Sequence, residues 1–396
     1  MKQSRMEVSL RKGRNPAHTG RRLPASAATF AVEVKRRTPA SEAVILAAAT
    51  GRTLALAALL LILVNVPASG MELIRTIRGD IAPKSIGYSG AGLFFAQNMM
   101  YRHSVTVYDR EFRLLKTIPD RVELSRFIPG NFRGWYRGAP VEVAFTDSGR
   151  TAWVSNYLIS GAGFVNPGND STATGRFDNS VVYRIDARAL EVTGAVPAGS
   201  VPKYLASTPD GRLVLVSNWC SGDLSVIDCA AMREMKRVRL GRYPRGIAVD
   251  RSSARAYVAV MGSYDVAVLD LKSFALSWLR GIGRSPRTVL IDSAGRYLYA
   301  TLNGEGSVAK VDVGAGRLVR KAATGSAPRS MAITPDGSAL YVTNYASDTM
   351  SKITTADMRV VATVPTQHHP IGITFDPVTR RVWVACYSGS IMVFQD

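Results

Sequence analysis

A phrase opening on proline recurs along the chain: PKYLASTPDG from Pro202, PRGIAVDRSS from Pro244, PRTVLIDSAG from Pro286, PRSMAITPDG from Pro328 and PIGITFDPVT from Pro370, each 42 residues after the last. The same phrase stands upstream at Pro140 (PVEVAFTDSG) and Pro83 (PKSIGYSGAG). Their spacings of 62 and 57 are one unit carrying insertions of 20 and 15 residues. A repeat of this length restricts the chain to propellers, solenoids and related arrays.

Within each unit, short runs of alternating apolar and polar residues are separated by turn signals. In the sixth unit, strands are expected over residues 329–333, 339–343, 350–353 and 359–364. The Thr334-Pro335-Asp336-Gly337 segment supplies a type I turn with Pro in its second position and Gly in its fourth. Four strands in some forty residues make one blade, and seven openings make an all-β, seven-bladed β-propeller of four-stranded antiparallel blades. The seventh unit ends after its third strand, at SIMVFQD. Residues 71–77 (MELIRTI) match the sixth unit's fourth strand, MRVVATV from Met358, and each Met lies 12 residues before its Pro. The N-terminal strand is therefore expected to complete the last blade and close the ring without a free sheet edge.

The segments LYVTNYASDTMSKI, VLVSNWCSGDLSVID and AWVSNYLIS resemble the YVTN β-propeller repeat family, many of whose members are exported bacterial proteins. The resemblance spans residues 71–396. It implies the fold and is compatible with export, but it implies no activity, because propellers host many unrelated functions. The Gly-His and Trp-Asp pairs of WD40 repeats are absent, as are GxGxxG, P-loop and HExxH motifs.

The net charge of +20 suggests nucleic-acid binding until its distribution is considered. Residues 1–70 hold eleven Lys and Arg against three Glu, leaving +12 on the remainder, dispersed among 27 acids. Residues 1–42 have the composition of a disordered basic leader, and a translation start near Val44 would leave them unmade. Residues 43–68 are expected to form a signal peptide. The thirteen apolar residues from Leu54 to Val66 suit its core and fall short of the roughly 20 that span a bilayer. Cleavage is expected after Ala68; an uncleaved leader would instead anchor the protein to the membrane. The expected location is outside the cytoplasm, whether extracellular, cell-surface or periplasmic, which argues against a nucleic-acid partner. Three cysteines rule out a disulfide scaffold. Cys220 and Cys229 flank an expected strand too long for them to bridge, and all three are expected to be buried thiols.

Propeller connectivity sorts the remaining residues. Loops from a fourth strand to the next blade share a face with loops joining second and third strands, and both insertions fall there. The first interleaves Phe127, Phe132, Trp135 and Tyr136 with Arg121, Arg126, Arg133 and Arg137; the second is YLISGAGFVNPGNDSTATGRFDN. They should be neighbours, either binding a ligand or packing their own aromatics. After the blade-opening proline stand Lys84, Lys203, Arg245, Arg287 and Arg329 in five blades, with Val141 and Ile371 in the other two. Tipped toward the axis, these bases would make a positive funnel for carboxylate, phosphate or sulfate; otherwise each pairs with a neighbouring blade. His103, His368 and His369 are expected on the same face, in adjacent blades one and seven.

The leading expectation is a non-enzymatic, exported, monomeric propeller without cofactor. It would bind an anionic ligand, cell-envelope polymer or protein through Lys84, Lys203, Arg245, Arg287, Arg329, Arg133, Trp135, Tyr136, Arg137, His103, His368 and His369. The alternative is a lactonase, lyase or redox enzyme at the same mouth. Its acid–base candidates are Glu142, Glu305 and the three histidines, which would also be the ligands of any metal or haem.

Overall fold

The alternation of the repeat becomes strand wherever it was expected. In the computed structural model, which describes residues 70–100, 102–165 and 177–396, the sixth blade's strands are Pro328–Ile333, Ala339–Asn344, Thr349–Thr354 and Val360–Pro365. Each end lies within one residue of its expected place. The expected leader, signal peptide and cleavage site lie outside the described residues. The TPDG turn closes as its residues dictate: the Gly337 N–H donates to the Thr334 carbonyl at 2.8 Å and Gly337 takes a φ of 70°, where glycine carries no Cβ penalty.

The recurring Asn also has a structural reason. Asn98, Asn218 and Asn344 end second strands, Asn156 lies within the longer second strand of blade two, and all four are wholly buried, so their amides need partners. Asn344 Nδ2 donates to Ser351 Oγ at 2.9 Å and Asn218 Nδ2 to Ser225 Oγ at 2.9 Å, each on the adjacent third strand.

Seven antiparallel sheets result. Their first strands contact one another in a closed cycle, each touching the first strand of the blade before and the blade after, so these strands wall the axis. Hydroxyls two residues after the blade-opening proline reach across to the next blade: Ser85 Oγ donates to the Val141 carbonyl, Thr288 to Arg329 and Ser330 to Ile371, at 2.6 to 2.7 Å. Blades four and seven place glycine at this position. A Cβ on Gly246 would lie 2.6 Å from Thr288 Cα, and one on Gly372 would lie 2.6 Å from Ser85 Cα.

The ring closes as expected. Glu72–Ile77 pairs antiparallel with the final strand, Ser390–Gln395, as the outermost member of the seventh sheet. Arg110 of blade one seals the seam on the opposite face by pairing with Asp376 of blade seven at 2.9 Å. Blade two departs from the plain repeat. Its first strand runs Tyr136–Thr146 and its second Thr151–Ser160, both longer than their counterparts, and Arg121–Val122 in the first insertion adds a fifth strand. Blade two therefore stands taller than its neighbours on the insertion face.

Met71 enters the seventh blade's core beside Met350, Met392 and Phe394, whereas Leu73 is half exposed. Met71→Ala should lower the unfolding free energy in urea by about 2–3 kcal/mol. Leu73→Ala should change it by no more than about 0.5 kcal/mol. Equal losses would contradict the seating of the closing strand.

Candidate functional site

The mouth is built by a clamp repeated in five blades. The residue before the blade-opening proline is left-handed in each: Val201 (φ 57°), Tyr243 (62°), Ser285 (56°), Ala327 (52°) and His369 (57°). None is glycine, so each conformation costs on the order of 1 kcal/mol. Their carbonyls accept hydrogen bonds from the backbone N–H groups of Trp219, Met261, Asn303, Tyr345 and Tyr387, at 2.9 to 3.2 Å. The loop entering a blade is thus tied to the loop after that blade's second strand. Bases following the proline and large side chains following the second strand meet around one opening.

The bases are deeper than an open funnel. Lys84, Arg245 and Arg287 are buried in the channel wall, and Lys203 and Arg329 are half-buried. Arg245 and Arg287 act electrostatically on Lys84, and Arg245 and Arg329 on Arg287, so four of the five converge on the axis. Pairing with a neighbouring blade holds for Lys84, whose Nζ lies 3.1 Å from Glu142 Oε1 of blade two. It does not extend to Arg287 and Arg329, which have no carboxylate within 4 Å among the described residues. Among the described residues, Arg329 Nε is buried without a hydrogen-bond partner, and Arg287 donates only to the Met261 thioether, at 3.9 Å. Burial first, then the like charges of Arg245 and Arg329, disfavour the charged form of Arg287. A guanidinium stays protonated in proteins, so Arg287 keeps its charge against that burial.

Sequence reasoning missed the aromatic collar between these bases. Arg329 lies 3.5 Å from the Tyr345 ring centroid, Lys203 lies 4.1 Å from that of Tyr157, and Arg245 lies 5.3 Å from that of Trp219. These contacts aim and hold the cations. The signal was present in the sequence, since the residue after the recurring Asn is aromatic in AWVSNY, VLVSNW and LYVTNY. Tyr387 follows Cys386 in the same register, and Arg329, Arg245 and Arg287 all act on its phenol.

Below the collar is a well of 200 Å³, lined among others by Ser85, Glu142, Tyr204, Thr288 and Ser330. Glu142 and Tyr204 replace the stitching hydroxyl or glycine of other blades. Burial, and then the Glu142 charge, push the Tyr204 phenol well above its usual range.

The remaining candidates disperse. His103 Nδ1 lies 3.7 Å from Asp120, while His368 Nδ1 lies 2.9 Å from Asp348 and stacks on His369. No contact among the described residues joins His103 to the other two. The described residues contain no group of three or more His, Cys, Asp or Glu placed to hold a metal ion. Glu305 pairs with Lys321 at 2.6 Å, away from the Lys84–Glu142 pair.

The two insertions are neighbours as expected, with Phe132 and Phe164 stacked 6.4 Å apart. Tyr136, expected to reach ligand, is 1% exposed at the centre of that aromatic cluster, and its ring is committed to packing. Trp135 is 49% exposed with Arg121 4.6 Å from its ring, Arg137 pairs with Asp120, and the backbone N–H of Arg133 donates to Tyr136 Oη. Among the described residues, none of Arg133, Trp135, Tyr136 and Arg137 has a contact with the channel bases.

The cysteines are free, but only Cys386 is fully buried; Cys220 and Cys229 are partly exposed, correcting the expectation for those two. On the opposite face a cavity of 890 Å³ includes Cys229, Asp228 and Asp270. Both carboxylates cap their own turns. Burial and neighbouring aspartates push the Cys229 thiol up to about 12, which leaves no thiolate nucleophile.

A family model described as lactonase, 7-bladed beta-propeller, matches residues 237–358, less than half of the chain. Among solved structures the chain is similar to a hydrazine synthase of Kuenenia stuttgartiensis, at 16% identity and a TM-score of 0.62 over 81% of this chain and 97% of that one. At that identity the likeness shows the propeller fold alone. No curated protein matches the sequence.

Burial, reinforced by Arg245 and Arg287 and opposed by Glu142, pulls the Lys84 ammonium down to about 7. The unfolded chain keeps that proton up to about pH 10.4. Between those values the unfolded state binds more protons, so stability should rise with pH. From pH 6 to 9.5 the wild type should gain at least about 1 kcal/mol relative to Lys84→Met in urea unfolding. A relative loss would contradict the assigned direction.

Proposed function

We propose that this is an exported binding protein that holds an oxyanion-bearing ligand in the basic channel mouth. The observation that carries the reading is Arg287, a buried guanidinium flanked by like charges, with only a thioether as hydrogen-bond acceptor among the described residues. A carboxylate, phosphate or sulfate entering the mouth would meet Arg287 and Arg329 directly and form charge-assisted hydrogen bonds. The aromatic collar keeps the cations in place for it. The ligand class includes anionic cell-envelope polymers and acidic groups on a partner protein. Export is supported by the apolar run and small residues before Ser69.

A second reading is favoured by the lactonase family match and by Glu142 and Tyr204 at the well. The protein would then hydrolyse an anionic cyclic ester, with Glu142 accepting the proton of the attacking water. A pH-stat assay of acid release from hydroxy-acid lactones separates the two readings. Turnover that Glu142→Gln abolishes would establish the enzyme; binding without turnover would establish the binding protein.

Replacing Arg245, Arg287 and Arg329 together with Ala should weaken citrate or sulfate binding by a hundredfold or more in calorimetry, given about 1.5–3 kcal/mol for each charged hydrogen bond. Unchanged binding would reject the site. Arg287→Met alone should raise the stability of the ligand-free protein by about 1–3 kcal/mol, because it removes an uncompensated buried charge. A destabilised Arg287→Met protein would show that the guanidinium is a structural element.

A further inference from the structure

Where blade seven meets blade one, a cleft of 550 Å³ lies away from the channel, within the roughly 300–1,000 Å³ span of small-molecule sites. Its walls come from the end of the closing strand and the link after it, from blade one's outer part, and from the base of the first insertion. One wall is apolar: Ile77, Ile81, Tyr108, Phe112 and Leu114. Ile81 and Tyr108 are buried while Leu114 is 54% exposed, so this wall leads from the core to the surface.

Beside the hydroxyls of Ser104, Thr106 and Thr117, the cleft carries Arg78, Arg102, His103 and Arg137 against Asp80 and Asp120. Arg102 pairs with Asp80 at 2.6 Å and Arg137 with Asp120 at 3.2 Å. The Asp120 carboxylate is 4% exposed and also lies 3.7 Å from His103 Nδ1. Three guanidiniums against two carboxylates leave one positive charge. It falls on Arg78, which has no carboxylate within 4 Å among the described residues. His103 Nε2 likewise has no hydrogen-bond partner among them.

We propose that this cleft binds an amphipathic monoanion, a carboxylate on an unbranched alkyl chain. Its head would meet Arg78 and His103 and its chain would lie along the apolar wall. A cationic head would confront Arg78, a dianion would place excess negative charge beside Asp80 and Asp120, and an uncharged chain would gain nothing from the exposed Arg78 guanidinium. The site is independent of the channel, from which it shares no lining residue.

The test is calorimetric titration of octanoate, decanoate and dodecanoate below their micellar concentrations, with decyltrimethylammonium as the oppositely charged control. Affinity should rise about tenfold for every two methylenes added, and decyltrimethylammonium should not bind. Arg78→Ala and Leu114→Asp, both at exposed positions, should each weaken dodecanoate binding at least fivefold. Arg287→Met, altered only in the channel, should bind dodecanoate as the wild type does, so failure here is distinguishable from failure of the channel reading. Absence of dodecanoate binding, indifference to Arg78→Ala, or equal binding of decyltrimethylammonium would overturn the proposal.

Discussion

The pairing of residues 72–77 with the last strand is the contact on which the rest depends. In a propeller no blade holds its neighbours through long-range covalent links, and each contacts only the blades beside it. Without the closing strand, blade seven would present an open edge at the seam with blade one. The channel bases come from blades one, three, four, five and six, so the site exists only while the circle is closed. The seam also shapes the outer cleft, because the closing strand supplies its Ile77 wall and the link to blade one supplies Arg78.

Closure allows the interior to contain features that a looser fold could not hold. Five left-handed residues at the mouth and a cluster of buried bases are each unfavourable on their own. Seven shared interfaces fix the backbone around them, through the hydroxyl stitches of blades one, five and six and the close approaches at Gly246 and Gly372. Left-handed non-glycine residues also stand at turns elsewhere in the ring, Asp147, Ser148 and Ser253 among them, so what sets the mouth apart is its cluster of buried bases. The Lys84–Glu142 pair fits the same pattern, since it partly compensates one base and leaves Arg287 and Arg329 uncompensated.

Much of this was legible in the sequence because repetition multiplies weak signals. One TPDG turn or one alternating run is ambiguous, but the same phrase at a fixed interval locates strands to within a residue in blade six. The register of the bases was equally plain at Lys84, Lys203, Arg245, Arg287 and Arg329. Their depth was not, because burial depends on the bulge after each proline and on how closely the first strands approach. Glu142 could not be assigned to Lys84 from spacing, since the two sit 58 residues apart on different blades. Tyr136 looked like a ligand residue beside so many arginines and proved to be the core of its own insertion. The histidines, expected on one face, have separate partners, His103 facing Asp120 and His368 facing Asp348.

As proposed above, the guanidiniums of Arg287 and Arg329 in the channel make an anion site. Crystals grown with selenate and measured at the selenium edge test it directly. An anomalous peak is expected in the channel mouth within hydrogen-bonding distance of Arg287 and Arg329. Selenium density confined to surface arginines, with water alone beside Arg287, would contradict it.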